Sequence, residues 1–258
     1  MSPQGLFIAW YTIVRSQVVR GFRLWAQNFL PAAVTSALYF LIFGSFLGSR
    51  IGDIHGVPFV SFVVPGLVML SVVTSTFSHV AFIFFGAKFF NRNINEILVS
   101  PTPPSIIIAG YVSSGIVRGV LIGVLVLLVS LLFAPLFIHS IFIALLFLVL
   151  TSLVFSLAGL VNGVYAQNFD SISIVPTFVL TPLIYLGGVF YSTEALPPFW
   201  QQFTEYNPVF YIINGLRYGL LGFSDVPLSV SISVLLALAL ILIGLNWYLL
   251  KKGLGLKQ

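Results

Sequence analysis

Residues 176–223 read PTFVLTPLIYLGGVFYSTEALPPFWQQFTEYNPVFYIINGLRYGLLGF, and how this stretch is placed decides the fold. Its first part, extended back to Ile172 and ending near Tyr191, is an apolar run long enough to cross a bilayer at about 1.5 Å per helical residue. Beyond Thr193-Glu194 and the Pro197-Pro198 break, the chain stays aromatic without offering a clean span. Phe199, Trp200, Phe203, Tyr206, Phe210, Tyr211, Ile212 and Ile213 alternate with Gln201, Gln202, Glu205, Asn207, Asn214 and Arg217. Pro208 divides the run, and Gly215, Gly219 and Gly222 are expected to loosen its second half. Two half-helices that dip into the membrane face and return fit this pattern better than a spanning helix. Non-helical backbone at that depth persists only where protein or a wet cavity satisfies it. The stretch therefore points to a pore or gate rather than a passive anchor.

Composition makes the whole chain a polytopic membrane protein. Of 258 residues, 59% are hydrophobic and only 7% charged, against roughly 25% charged in a soluble domain. The net charge of +5 is small and dispersed, which gives no footprint for nucleic acid. With no cysteine, disulfides and thiolate metal sites are excluded. Residues 1–258 read as a single transmembrane domain, without internal repeat or low-complexity linker.

Six apolar segments follow one another, at about 28–47, 59–85, 105–134, 140–161, 172–193 and 228–250. Before them, residues 1–27 form an amphipathic pattern. Phe7, Trp10, Tyr11, Val14, Val18, Phe22 and Trp25 recur at helical spacing, with Thr12, Ser16, Arg20 and Arg23 on the opposite stripe. The direct reading is a helix lying in the interface with its arginines toward anionic headgroups. A cleavable signal peptide is the rival, but it would place positive charge before the apolar core, whereas Arg15 follows it. The Lys/Arg distribution orients the spans. Arg15, Arg20, Arg23, Lys88, Arg92, Lys251, Lys252 and Lys257 fall on the side of the termini and even-numbered loops. Only Arg50 and Arg217 fall on the other, with Asp53, Glu194, Glu205 and Asp225. Both termini are thus expected in the cytoplasm, with residues 86–104 as a cytoplasmic loop and 194–227 as an external re-entrant hairpin.

Within the spans, Gly115, Gly119 and Gly123 form a small-residue ladder in span three, for packing inside one chain or for a dimer seam. Arg118 sits beside it. It lines a path, ties span three to a neighbour, or snorkels to the cytoplasmic headgroups. Asp170, in NFDSIS, is placed as the N-cap of span five. Spans two and five carry Pro65, Pro176 and Pro182 among hydroxyl side chains, and prolines free carbonyls for hydroxyls or a substrate to meet. Thr74, Phe77, Phe178, Thr181 and Tyr185 are the candidate path residues, suited to an amphipathic molecule. Pro197, Trp200, Asn207, Pro208 and Arg217 are the candidate external gate, with Asn207-Pro208 as hinge. Arg217 is expected to pair with Glu205 or a lipid phosphate.

Signals for catalysis are lacking in the sequence. No GxxxxGK[ST] occurs, so no P-loop can cradle a nucleotide phosphate. His55, His79 and His139 lack ligand spacing, and the six carboxylates are spread singly. Any energy source must come from elsewhere. The loop GAKFFNRNINEILVSPTPPS is the place to look for it. Residues 91–99 read as a short helix stopped by Pro101 and Pro103-Pro104. Ile94, Ile97 and Leu98 share one face, and Arg92 and Glu96 lie i, i+4 on another. Such a helix can insert into a groove of a partner.

PTFVLTPLIYLGGVFY, LPPFW and NPVFYIINGLRYGLLG together resemble the C-terminal signature of the permease subunits of type-2 ABC transporters. FGSFLGSRIGDIHGVPFVSFVVPGL and NEILVSPTPPSIIIAGYV extend the resemblance over most of the chain. That family comprises bacterial exporters whose spans sit in one chain and whose ATPase sits in another. The resemblance implies an all-α membrane permease of the bacterial inner membrane, working as a homodimer with two copies of an ABC ATPase. It makes Arg92, Ile94, Glu96, Ile97 and Leu98 a coupling helix docked in the ATPase. It leaves ATP and Mg on that partner, with no cofactor in this chain. Spans two and five would border a cavity between protomers, and lipids, glycolipids, polysaccharides and hydrophobic drugs are the substrate classes. A membrane scaffold or a secondary transporter is the alternative. A secondary transporter would need buried carboxylates for ion coupling, and no span interior contains one.

Overall fold

The computed structural model describes residues 2–89, 102–135 and 138–253. They are almost entirely helical. An N-terminal helix α1 (Pro3–Arg23) breaks at Leu24 into α2 (Trp25–Leu41), which passes through a π-helical turn (Ile42–Leu47) into α3 (Gly48–Ile51). A small antiparallel hairpin of β1 (Asp53–Ile54) and β2 (Val57–Pro58) turns at His55 and Gly56, both at positive φ. The long helices α4 (Phe59–Phe89), α5 (Pro104–Ser130) and α6 (Ile141–Tyr165) follow. Next come α7 (Phe169–Val175), a π-helical turn (Pro176–Leu180) and α8 (Thr181–Tyr185). The chain ends in α9 (Pro198–Glu205), α10 (Pro208–Leu221) and α11 (Leu228–Lys252).

Among the described residues, five helices are long and apolar enough to cross a membrane: those beginning at Trp25, Phe59, Pro104, Ile141 and Leu228. The segment expected at 172–193 is different. Its helix runs from Phe169 to Tyr185 and is shorter than the others. Gly187 and Gly188 end it, Gly188 having a φ of +84° that side chains rarely adopt. Its N-cap is Asn168 rather than Asp170. Asn168 accepts from the Ser171 amide at 2.8 Å, and Ser171 Oγ accepts from the Asn168 amide at 3.1 Å, forming a reciprocal capping box. Asp170 instead lies in the first turn, where the helix dipole favours a carboxylate.

The core is built on α4, which is buried along most of its length between α5 and α6. Lipid tails are as apolar as leucine, so close approach of backbones, rather than escape from water, holds such helices together. Small residues provide that approach on both partners. The α5 ladder faces inward within one chain: Gly115 abuts Ser156 and Val80, Gly119 abuts Ser152 and Thr76, and Gly123 abuts Leu148 and Val72. On α6, Gly159 rests on the Phe77 carbonyl of α4 and Gly163 on that of Ala81. The ladder is an internal seam. Asn246 of α11 fastens the last helix to this block, donating to the Leu157 carbonyl at 3.0 Å.

At one end of the bundle, Lys88 Nζ donates to the carbonyls of Val164 and Ala166 at 3.0 and 3.2 Å, covering the C-terminus of α6. At the other end, His55 and Glu194 lie 3.7 Å apart, and the His139 and Ser140 amides bond the Leu220 and Gly219 carbonyls. Helix α1 has no buried residue. It leans on α5 through Ile13 against Gly110 and through Trp10 Nε1, which donates to Ser113 Oγ at 3.2 Å, while Arg15, Arg20 and Arg23 remain exposed.

Candidate substrate path, gate and coupling loop

The residues proposed for coupling, Arg92, Ile94, Glu96, Ile97 and Leu98, lie outside the described residues. Their setting is described on both sides. The loop leaves the C-terminal end of α4, the most buried long helix, and re-enters at Pro103, which caps α5.

Among the candidate path residues, the structure separates one from the rest. Phe77 is buried at 2% exposure in the core, its carbonyl under Gly159. Thr74 is half-buried on α4, and its hydroxyl donates to the Leu70 carbonyl of its own helix at 2.7 Å. Phe178, Thr181 and Tyr185 lie along the helical stretch 169–185 on an exposed face, Phe178 at 74%. Across the π-helical turn beginning at Pro176, the Pro176 carbonyl accepts from the Thr181 backbone N–H and also from Thr181 Oγ1, the latter at 2.9 Å. Tyr185 meets a residue far from it along the chain. Its hydroxyl lies 3.0 Å from that of Tyr39 on α2. Phe190 stacks on Tyr185 with centroids 5.9 Å apart and on Phe43 at 4.3 Å. An aromatic cluster thus joins the α2 segment to the end of α8, beside two π-helical turns; such turns are frequent at functional sites.

The candidate gate residues divide into an exposed helix and a buried one. Pro197 caps α9, on which Phe199, Trp200 and Phe203 are exposed, with Tyr206 at its end. Such an aromatic face suits the headgroup level. Asn207 then starts α10. Its side-chain oxygen accepts from the Val209 amide at 3.0 Å, its nitrogen donates to the Leu183 carbonyl at 2.6 Å, and Pro208 occupies the first helical position. The hinge position is a cap bonded across to α8. Helix α10 is sunk in protein along most of its length. Its glycines are notches: Gly215 receives the ring of Phe147, and Gly219 meets the Ala144 backbone. The expected looseness is a docking surface instead, because facing residues on α6 fill the space a side chain would take.

Arg217 is 1% exposed, and its carboxylate is Asp225, not Glu205. Nη1 stands 3.6 Å from Asp225 Oδ2, an ion-pair contact too long for a hydrogen bond. Nη2 donates to the Gly188 carbonyl at 2.9 Å, and the guanidinium lies 4.2 Å over the Phe62 ring of α4. Asp225 also accepts from Thr193 Oγ1 at 2.9 Å, and its amide donates to Asn214 Oδ1 at 2.9 Å. One buried cation therefore ties α10, α4, the turn after α8 and the loop before α11. Asp225 follows the decisive stretch by two residues and was legible only as a loop carboxylate. Burial removes Arg217 from any lipid phosphate.

Arg118 makes the bridge that one of its three sequence readings describes. Nε donates to Ser75 Oγ at 2.9 Å, Nη1 to Asn28 Oδ1 at 2.8 Å and to His79 Nδ1 at 3.2 Å, and Nη2 to the Asn28 carbonyl at 3.3 Å. A guanidinium only donates. His79 Nδ1 is therefore the acceptor, and the imidazole is neutral with its proton on Nε2.

Comparison with known proteins agrees with this architecture. Residues 8–221 match the family model described as ABC-2 type transporter. The chain is 51% identical over 252 residues to the inner membrane transport permease YadH of Escherichia coli (strain K12), covering 98% of each. It is 24% identical over 210 residues to nodulation protein J of Rhizobium leguminosarum bv. viciae, covering 77% of this chain and 81% of that one. Nodulation protein J of Rhizobium meliloti (strain 1021) is also 24% identical, over 242 residues.

Proposed function

Because the chain belongs to the ABC-2 type transporter family, we propose that it is the membrane-spanning permease of an ATP-driven exporter of the bacterial inner membrane, with no catalysis of its own. A separate ABC ATPase would bind ATP and Mg and dock on Arg92, Ile94, Glu96, Ile97 and Leu98. Two copies of each chain would make the working unit, with the cavity between protomers. The helical stretch Phe169–Tyr185 counts as a sixth, short crossing, α1 as the interfacial helix, and α9–α10 as the external re-entrant pair. Both termini would then be cytoplasmic.

The observation that carries this reading is where α4 leads. The 31-residue helix, a rod of about 46 Å at helical rise, ends at Phe89 where the proposed coupling loop begins, and near its other end carries Phe62 under Arg217. Closure of the ATPase would push on the loop, and α4 would carry the displacement to the buried cation that fastens the external segment. Thr74, Phe178, Thr181 and Tyr185 would line the path, with Phe77 behind them in the core. Their aromatic rings and self-bonded hydroxyls favour an amphipathic or hydrophobic cargo, a lipid, glycolipid or drug, over a strongly charged one.

The test is purification from native membranes in mild detergent. A P-loop ATPase is expected at equal stoichiometry, and should be lost from Ile97→Asp/Leu98→Asp while the permease still elutes as a folded peak. A permease that emerges alone and folded would remove the coupling assignment and favour a scaffold or secondary transporter. Glu96→Lys is expected to leave insertion intact but to separate ATP hydrolysis from transport. A second measurement addresses the path. Phe178→Ala and Tyr185→Phe should shift the ranking of exported dyes at unchanged expression, because both side chains are exposed in one protomer. Identical efflux of every dye tried would remove them from the lining.

A further inference from the structure

Beside Arg118 the surface is hollow in a particular way. A small recess between α1 and α5 is lined by Gly21, Phe22, Phe29, His79 and Arg118. It adjoins a wholly apolar groove of about 430 Å³ that shares Phe22, Phe29 and Leu121 and continues along Leu125 and Leu128. The recess has a charged end, and the groove runs from it down the outside of α5 against α2.

Arg118 is fourteen positions into α5, but helical side chains tilt toward the helix N-terminus. The guanidinium therefore reaches back toward the end of the bundle that holds Lys88 and the start of α5. Four of its five N–H donors are taken by Ser75, Asn28 and His79, and one on Nη2 remains. All these partners are neutral. Among the described residues no carboxylate lies within ion-pair distance of Arg118. The neighbouring α1 adds only positive charge, with Arg15, Arg20 and Arg23 exposed. A cation at this depth is costly without an anion or water, and basic pockets between membrane helices on the cytoplasmic side suit anionic lipid headgroups.

We propose that this groove binds one anionic phospholipid of the adjoining leaflet, its phosphate on Arg118 and an acyl chain along Leu121, Leu125 and Leu128. The bound lipid would fill the angle between α1, α2 and α5. It would brace the elbow at Leu24, where the interfacial helix turns into the first span. This assignment does not depend on what the permease exports or on the identity of its ATPase.

Native mass spectrometry of the full chain, released from micelles doped with phosphatidylglycerol or phosphatidylcholine, tests it. The unmodified protein should retain one phosphatidylglycerol in preference to phosphatidylcholine. Arg118→Gln should weaken that retention roughly tenfold or more, the scale of one charge-assisted hydrogen bond. Leu121→Trp, which obstructs the groove and leaves the charge in place, should weaken it as well. It also keeps the test decisive if Arg118→Gln fails to fold. Lys251→Gln, at the exposed end of α11, should change nothing. Equal retention of both lipids, or retention of phosphatidylglycerol unaltered in Leu121→Trp, would overturn the proposal. So would displacement of the lipid by millimolar inorganic phosphate, which would make the recess a site for free anions.

Discussion

Asp225→Ala is expected to destabilise the protein by roughly 3–5 kcal/mol, the range for leaving one member of a buried ion pair without its partner. Arg217 is 1% exposed and Asp225 is 7% exposed at the side chain, so neither can turn to solvent when the other is removed. Besides Asp225, the described partners of Arg217 are the Gly188 carbonyl and the Phe62 ring, neither of which carries a negative charge. Thr193 also loses the acceptor of its hydroxyl. The double variant Arg217→Met/Asp225→Asn removes the charges together and keeps a polar group toward Thr193. It should recover at least half of the loss, since replacing a buried pair by neutral groups is often close to harmless. Thermal melts followed by size-exclusion fluorescence in detergent supply the comparison. A single Asp225→Ala variant that melts with the unmodified protein would show that the pair contributes nothing to holding the external segment.

The second large effect belongs to Gly159. A leucine there should cost about 3 kcal/mol or more, because overpacking is relieved only if the neighbour can move. At Gly159 the obstruction is the Phe77 carbonyl in the middle of α4, which cannot shift without displacing the central helix. Gly86, in α4, meets nothing within 4 Å among the described residues and is the control. Gly86→Ala should be neutral or slightly stabilising, since glycine in a helix interior costs roughly 1 kcal/mol relative to alanine. Loss of the monodisperse peak for Gly159→Leu, with Gly86→Ala unchanged, is the expected pair of results. Equal behaviour of the two would contradict the seam.

What could be read in advance was whatever depends on runs and local spacing. The apolar segments at 28–47, 59–85, 105–134, 140–161 and 228–250 correspond to long helices, because run length is a property of the chain itself. The break at Asn207-Pro208 separates two helices, as proline and a capping side chain dictate. What could not be read was which distant residues meet. Arg217 had Glu205 as a candidate in its own segment, yet the fold brings it Asp225 from beyond Gly222. Tyr39 and Tyr185 are 146 positions apart and share no local pattern. The glycines of α10 looked like points of weakness because composition does not disclose a facing Phe147. Asn168 and Asp170 are equally good capping residues on paper, and the two-residue difference is settled by where the chain leaves α6.

The glycine and serine contacts among α4, α5 and α6 bear on motion as well as on assembly. Backbones that touch through notches cannot slide past one another, since every intermediate offset puts a side chain where a carbonyl or hydroxyl already sits. These three helices therefore behave as one stiff chassis. Whatever change of shape carries cargo must be taken up at its articulations: the elbow at Leu24, the two π-helical turns, and the glycine pair after Tyr185. The degrees of freedom of this permease lie along its outer helices.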